Sequence, residues 1–351
     1  MRGFIFPDSV RSDVFEAIWG GVKDDRSRAE GEEVGEGDLR PDDLAELNAD
    51  QASTAEAFAA VGSDLRLSIL RVLCDNGEPL SFSALHDRAG IGDSAQFNYH
   101  LQKLVPRFVG KGENGYYATL AGQYVVSAIV TGTFTSRTIG PFPAGGPCVA
   151  CGGDLCARYG DDFLPIWCEE CDKIHSMWNF PPGGLIGRDR EELLDAYDQW
   201  VRHTFDMAIS GVCSICGGRM VTKLSLDLEP HPPGDTREAP ERDDNAYMSV
   251  VDSDVLVTYR CQQCHQRAFS YPGFVLLTDP EVQAFYRNHG QSLEEIRYWT
   301  LPWAVDNSPV EVVSESPPRV RIRIHLEGEE LAVTLDESLT VVETERTLRE
   351  V

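Results

Sequence analysis

The sequence predicts an α+β protein, and three observations predict it. Between residues 53 and 135 the apolar side chains recur mainly at helical spacing; between 148 and 264 four C-x-x-C pairs punctuate the chain; from 319 to 345 apolar and polar residues alternate with period two. A chain of 351 residues is longer than one core normally serves, so several folded units are expected, and an apolar fraction of 42% is enough to build them.

The charge balance narrows the setting. Against 57 acids stand 31 bases, only 5 of them Lys, for a formal net charge of -26. Dense carboxylates stay hydrated in concentrated salt, where their mutual repulsion is screened. The composition therefore points to the salt-rich cytosol of a halophile, an archaeon in the first instance; a mesophilic protein with acidic tails is the plainer alternative. The chain shows neither a secretory leader nor an apolar run near the ~20 residues that a membrane span needs, so a cytoplasmic protein with no membrane partner is expected. In a reducing cytosol, ten cysteines arranged mostly in pairs read as metal ligands before they read as disulfides.

Residues 1–52 hold 14 acids and 6 bases with few large apolar side chains, so this arm cannot bury enough surface to fold alone and is expected to be mostly disordered. Within it, SDVFEAIWGGV has the pattern of a short amphipathic helix, and MRGFIF is open to being read as translation from an upstream start.

From 53 to 135 the pattern changes. Phe58, Val61, Leu65, Ile69, Leu70 and Leu73 fall at helical spacing, with Gly62 and Ser63 separating a first helix from a second that ends at DNGEPL. SFSALHDRAG gives a third helix, capped by Ser81 and stopped by Gly90. After a tight GIGD turn comes a helix over 93–105, in which Phe97, Leu101, Leu104 and Val105 share one face. Two helices joined by such a turn form a helix-turn-helix. RFVGKGENGYYATLA then alternates about Gly-Glu-Asn-Gly, a β-hairpin, and helix-turn-helix plus hairpin is a winged helix-turn-helix domain. The closing helix, 121–134 (AGQYVVSAIVTGTF), is too apolar to face water all round and is expected to pair with a second copy in a homodimer; packing on its own domain is the competing reading. Residues 136–147, within TSRTIGPFPAGGP, read as a linker by their Gly and Pro content.

The remaining domain, 148–351, contains a weak duplication: CVACGG returns as CSICGG, and WCEEC as RCQQC. Cys148, Cys151, Cys168 and Cys171 give C-x2-C-x16-C-x2-C, the spacing of a four-thiolate zinc site. Cys213, Cys216, Cys261 and Cys264 repeat the pairs with 44 residues between them, a gap filled by DLEPHPPGDTREAPERDDNAY, which has the composition of a solvated loop between the strands MVTKLSLDL and SDVLVTYR. His265 in place of Cys264 would break the spacing. Two zinc-ribbon-like lobes, each with one structural zinc ion, are therefore expected. Four thiolates saturate tetrahedral zinc and leave no open position, and no nucleophile–base grouping or phosphate loop accompanies them, so no catalysis is expected. Cys156 and Cys74 read as packed thiols. Between the lobes DREELLDAYDQWVRHTFDMAI is an amphipathic helix from Asp189; DPEVQAFYRNHG and SLEEIRYWTL follow as a helix pair; the tail is a hairpin or three-stranded meander about Glu-Gly-Glu.

How would so acidic a chain meet DNA? Residues 53–135 hold 6 bases and 7 acids, so this module is nearly neutral and the excess charge lies elsewhere. In molar salt the Debye length is about 3 Å, and counterion release offers little drive. Recognition must then rest on base-edge hydrogen bonds, shape and apolar contact. Gln96 and Asn98 suit bidentate pairing with adenine, Tyr99 a phosphate or a thymine methyl, and Ser94, at the helix start, a phosphate oxygen. Gln102, Lys103, Lys111 and Asn114 are candidate backbone contacts. His100 reads as a boundary residue, and an uncommitted polar surface is the alternative for the whole helix.

SDLRLSILRVL, LSFSALHDRAGIGDSAQFNYHLQKLV and GENGYYATLAG together resemble an ArsR-type winged helix, of the haloarchaeal branch in which that domain precedes a cysteine-rich region; DPEVQAFYRNHG and RVRIRIHLEGEELAVTLDESLTVV resemble the same branch. The resemblance implies a dimeric, cytoplasmic transcription regulator that binds double-stranded DNA. Where metal-sensing members carry a Cys-Val-Cys-type motif, LSFSAL offers Ser81 and Ser83, whose hydroxyls cannot replace thiolates for a soft metal. Any effector would then involve the C-terminal domain. The reading from another class is an adaptor that docks on proteins of the transcription machinery without touching bases.

Overall fold

The computed structural model describes residues 54–132, 134, 137–226 and 255–348, which fall into two compact units dividing between residues 135 and 136. The expected arm, its amphipathic stretch and the DLEPHPPGDTREAPERDDNAY insertion lie outside the described residues. Each unit is mainly built around one apolar cluster of its own. The class is α+β, with antiparallel sheets only among the described residues.

The first unit opens with α1 (Thr54–Val61), α2 (Asp64–Asn76), α3 (Phe82–Ala89) and α4 (Ser94–Leu104). Turn chemistry sets their ends. Gly77 and Gly90 stop α2 and α3 in the left-handed region, and Ser81 caps α3 by accepting the Ala84 amide. A hairpin follows, β1 (Val109–Gly112) with β2 (Gly115–Ala118), then α5 (Leu120–Val130). Leu80 pairs with Tyr116, exchanging both backbone bonds and fastening the hairpin to the start of α3. A side chain at Gly115, which has φ 122°, would lie 2.3 Å from the Leu80 carbonyl, so only glycine permits this approach. The core is Ile69, Leu70, Leu85, Phe97, Leu101 and Leu104, all fully buried.

The second unit carries three sheets. β3 (Thr138–Pro147), β4 (Asp154–Gly160), β5 (Phe163–Cys168) and β6 (Ile174–Asn179) form a meander. Next comes α6 (Arg190–Ile209), started by a reciprocal capping box between Asp189 and Glu192. It buries Leu194, Tyr197, Val201, Phe205 and Ala208 along one stripe. β7 (Met220–Ser225), β8 (Leu256–Cys261) and β9 (Arg267–Ser270) make the second sheet. After α7 (Pro280–Asn288), a short helix Pro302–Val305 leads into β10 (Val310–Glu315), β11 (Pro318–Leu326), β12 (Glu329–Leu335) and β13 (Val341–Leu348) in simple up-and-down order. The left-handed pair Glu327 and Gly328 makes the tight turn between β11 and β12.

Four expectations are corrected here. The stretch 136–147 is not a linker beyond its first residues: from Thr138 it is edge strand β3, whose register against β4 shifts twice, and Phe142 and Ala144 are buried. An edge strand tolerates the prolines that would break a central one, and bulges absorb the glycines. The apolar helix is shorter than 121–134, ending at Val130 before the left-handed Gly132. SLEEIRYWTL is not a helix but turns and a single 3-10 turn at Tyr298–Thr300, because neighbouring Tyr298 and Trp299 are both buried and no one helix face would bury both with Leu293 and Leu301. The tail gains a fourth strand, β10, which charge had concealed.

A buried polar knot locks the 296–300 segment to α6. Asp198 accepts from Arg202 Nε at 2.6 Å and from the Tyr298 amide at 2.8 Å, while Arg202 donates to the Ile296 carbonyl at 2.5 Å. Burial pushes the Asp198 carboxyl up, against the pull of Arg202 and the Tyr298 amide.

Candidate metal centres and nucleic-acid interface

The eight paired cysteines meet in two sets of four. In each, the sulfurs lie within 4.8 Å of one another: Cys148, Cys151, Cys168 and Cys171 in the first, Cys213, Cys216, Cys261 and Cys264 in the second. Sulfurs about 2.3 Å from a tetrahedral zinc ion would stand about 3.8 Å apart; the cross pairs stand at 3.4 to 3.6 Å. The donor set therefore fits a tetrahedral, thiophilic ion, and zinc is compatible with it.

The two sets share one backbone design. Cys148 N–H donates to the Gly153 carbonyl and Cys213 N–H to the Gly218 carbonyl, both at 2.8 Å. Gly152 and Gly217 turn the chain in the left-handed region, at φ 78° and 72°. Cys168 N–H reaches the Lys173 carbonyl as Cys261 N–H reaches that of Gln266. Amides of Gly153, Gly218, Glu170 and Gln263 point at Cys151, Cys216, Cys168 and Cys261, each at 3.4 Å. Such N–H groups stabilise thiolate charge.

The electrostatics ask for a cation. Burial pushes Cys148 up, but the Cys151 and Ala150 amides and His175 outweigh it and bring it down to about 6; at Cys261, burial is likewise outweighed by the Cys264 and Gln263 amides, again to about 6. Cys151, pulled down by the Gly153 amide, is pushed further the other way by Cys168 and Cys171, to about 12. Four sulfurs this close cannot all ionise unless a positive ion neutralises them.

The remaining thiols behave as packed side chains. Cys156 is buried and its Sγ donates to the Phe142 carbonyl at 3.3 Å, with burial and Glu169 holding its pKa up at about 11. Cys74 is half-buried against the first core. His265 is exposed at φ 60° and stands outside the cluster.

One neighbour went unread in the sequence. His175, on β6, is buried, with Nδ1 2.8 Å from the Trp299 carbonyl and Nε2 3.3 Å from Cys148 Sγ. Its signal was weak: one of eight histidines, four residues after a cysteine pair.

In the first unit, Phe97, Leu101 and Leu104 turn α4 inward, and Gln96, Asn98, Tyr99, Gln102 and Lys103 all lie exposed on its other side. Lys103 Nζ sits 5.7 Å from the centre of the Tyr99 ring. Lys111 is exposed on β1 and Asn114 in the hairpin turn. Ser94 is exposed at the helix start, but Asp93 caps this end by accepting the Ala95 and Gln96 amides, so a carboxylate already occupies the position where a phosphate would seek free N–H groups. Leu120, Tyr124, Val130 and Phe134 are all more than half exposed, on or just beyond α5.

A family model described as Domain of unknown function (DUF7351) matches residues 145–341, more than half of the chain. The chain belongs to the DUF7351 family. The matched span runs from the end of β3 to the start of β13 and so takes in both DUF7351 cysteine sets. A second model, Domain of unknown function (DUF7347), matches residues 54–129, from α1 almost to the end of α5. No curated protein and no solved structure matches the chain. Among the described residues no helix is long and apolar enough to cross a membrane.

Proposed function

We propose that the chain is a homodimeric, DNA-binding transcription regulator of halophile cytoplasm. Residues 54–130 act as a winged helix of ArsR type, and two structural zinc ions hold the C-terminal unit. One observation carries the DNA reading: α4 spends its apolar side wholly on the core and leaves an amide-rich side free, with Gln96, Asn98 and Gln102 beside Tyr99 and Lys103. This supports major-groove recognition through side-chain amides, Gln96 and Asn98 reading adenine, with Lys111 and Asn114 of the hairpin at the backbone. Asp93 leaves Ser94 its hydroxyl as the contact, since the first amides are already used. The exposed apolar row on α5 supports pairing of two copies, which would set two recognition helices about one DNA turn apart.

Gln96→Ala combined with Asn98→Ala tests the reading. In a gel shift at molar salt the double variant is expected to lose sequence-selective binding while its circular dichroism and melting stay unchanged; retained selectivity would overturn it. Tyr124→Glu is expected to shift the chain from dimer to monomer in light scattering. An unchanged mass would leave α5 packed within its own chain.

One feature favours the adaptor reading. Trp178, Trp200, Phe205, Ile215 and Met220 line a small apolar depression beside the second cysteine set. Co-purification of transcription proteins that survives nuclease treatment would support it over direct DNA contact.

A further inference from the structure

The shared backbone design of the two cysteine sets allows a position-by-position comparison. The Cys168-to-Lys173 and Cys261-to-Gln266 backbone bonds place residues 173 and 266 at equivalent points; beyond them β6 shifts register between Ile174 and Ser176, so that His175 is an extra residue, whereas β9 stays in register and Ala268, at the same offset, pairs with Tyr259. The first cysteines also correspond, Cys148 and Cys213, and both are buried, at 4% and 1% exposure, so bulk water serves neither sulfur. At Cys148 an imidazole nitrogen lies 3.3 Å away. On β9 there is no such extra residue, and the side chain at the same offset from the cysteine pair is the methyl group of Ala268.

His175 is also held from behind. Its Nδ1 lies 2.8 Å from the Trp299 carbonyl, and the Trp299 segment is itself pinned by the Tyr298 amide on Asp198 and by Arg202 on the Ile296 carbonyl. The ring cannot swing away without giving up its contact with that fixed carbonyl. The ring is thus oriented with Nε2 toward the Cys148 sulfur, where an outer hydrogen-bond partner of a metal-bound thiolate orients the ligand and tunes its hold on the ion.

We propose that the two metal sites are inequivalent: His175 is a positioning residue that locks the ion of the Cys148 set, and the Cys213 set, with no counterpart of His175 among the described residues, holds the exchangeable ion. The inference rests on both sets binding metal. Outer hydrogen-bond partners of metal ligands typically change affinity by about 10- to 100-fold, which sets the size of the expected difference.

The test uses the full chain in reducing, high-salt buffer. Elemental analysis first counts the metal; fewer than two ions per chain would remove the metal reading itself, separately from this inference. Release to an excess of a chromogenic chelator is then followed in time. The expected result is two phases of equal amplitude, the slow one at least ~10-fold slower. A Cys216→Ser variant should lose the fast phase and keep the slow one. His175→Asn, which preserves a donor toward Trp299 but withdraws from the sulfur, should merge the phases. His175→Gln, whose amide reaches the place of Nε2, should keep much of the separation. Cobalt substitution gives a second readout, because only the thiolate charge-transfer band of the Cys148 set should move in His175→Asn. A single release rate in the unaltered chain would overturn the proposal, as would His175→Gln and His175→Asn releasing alike with both folded.

Discussion

The two units of this chain hide different things. The unit at 54–134 hides hydrocarbon and displays its chemistry: Leu101 and Leu104 are wholly buried while Gln96, Asn98 and Lys103 on the same helix face water. The unit at 137–348 buries its chemistry as well. Cys148, Cys168, Cys213 and Cys261 belong to its apolar cluster, alongside Asp198 and Arg202 in the same interior. The difference teaches where each unit's stability resides. The first relies on apolar packing; the second adds to its larger apolar cluster two cysteine sets that could hold metal ions.

The sharpest way to break that contrast is to remove the metal. Exhaustive chelation under reducing conditions is expected to unfold the second unit, abolishing the near-ultraviolet signal of buried Trp299 and Trp303, while the helical signal of 54–130 persists. Loss of ~10 kcal/mol of metal-binding energy per site is comparable to the whole stability of a typical domain. Survival of the tryptophan signal would erase the distinction. A smaller effect should come from the other side. Leu101→Ala deletes a fully buried side chain and is expected to cost about 2–5 kcal/mol, melting the first unit early and leaving metal content at its original value. A parallel loss of metal would show the units to be one cooperative body.

The smallest expected effect concerns pH. Burial raises the Asp306 carboxyl, but the Lys173 ammonium and the Ser308 amide prevail and hold it below the usual carboxylate range. A depressed folded value means stability present above the unfolded carboxylate pKa of about 3.9 and lost as pH falls through the folded one. Asp306→Asn should therefore destabilise the second unit at neutral pH by on the order of 1 kcal/mol, read as an earlier melting transition, and change nothing once the acid is titrated. A variant that melts like the parent at neutral pH would place no stability in that ion pair.

How much of this was legible in the sequence follows from how local each cue is. Helix ends at Ser81, Gly90 and Asp189 were readable because a cap is a matter of a few neighbouring residues. The cysteine sets were readable because knuckle spacing is local and the pairs repeat. β3 was not: nothing within TSRTIGPFPAGGP announces a strand, whose existence depends on β4 lying beside it. β10 escaped for a similar reason, since its pairing with β11, where Arg323 meets Glu311, is not written in its own residues. His175 was invisible because its two partners, Cys148 and Trp299, lie 27 and 124 residues away along the chain.

One consequence lies at the outer rim of the last sheet. β13 pairs with β12 on one side only among the described strands, and along its exposed length it carries Glu343 and Glu345. A free strand edge invites another chain to extend it, and concentrated salt strengthens whatever apolar attraction would bring two edges together. Glu343 is paired with Arg321, and Glu345 adds negative charge that a second copy of this edge would meet. Charge along such a rim disfavours its extension by another strand.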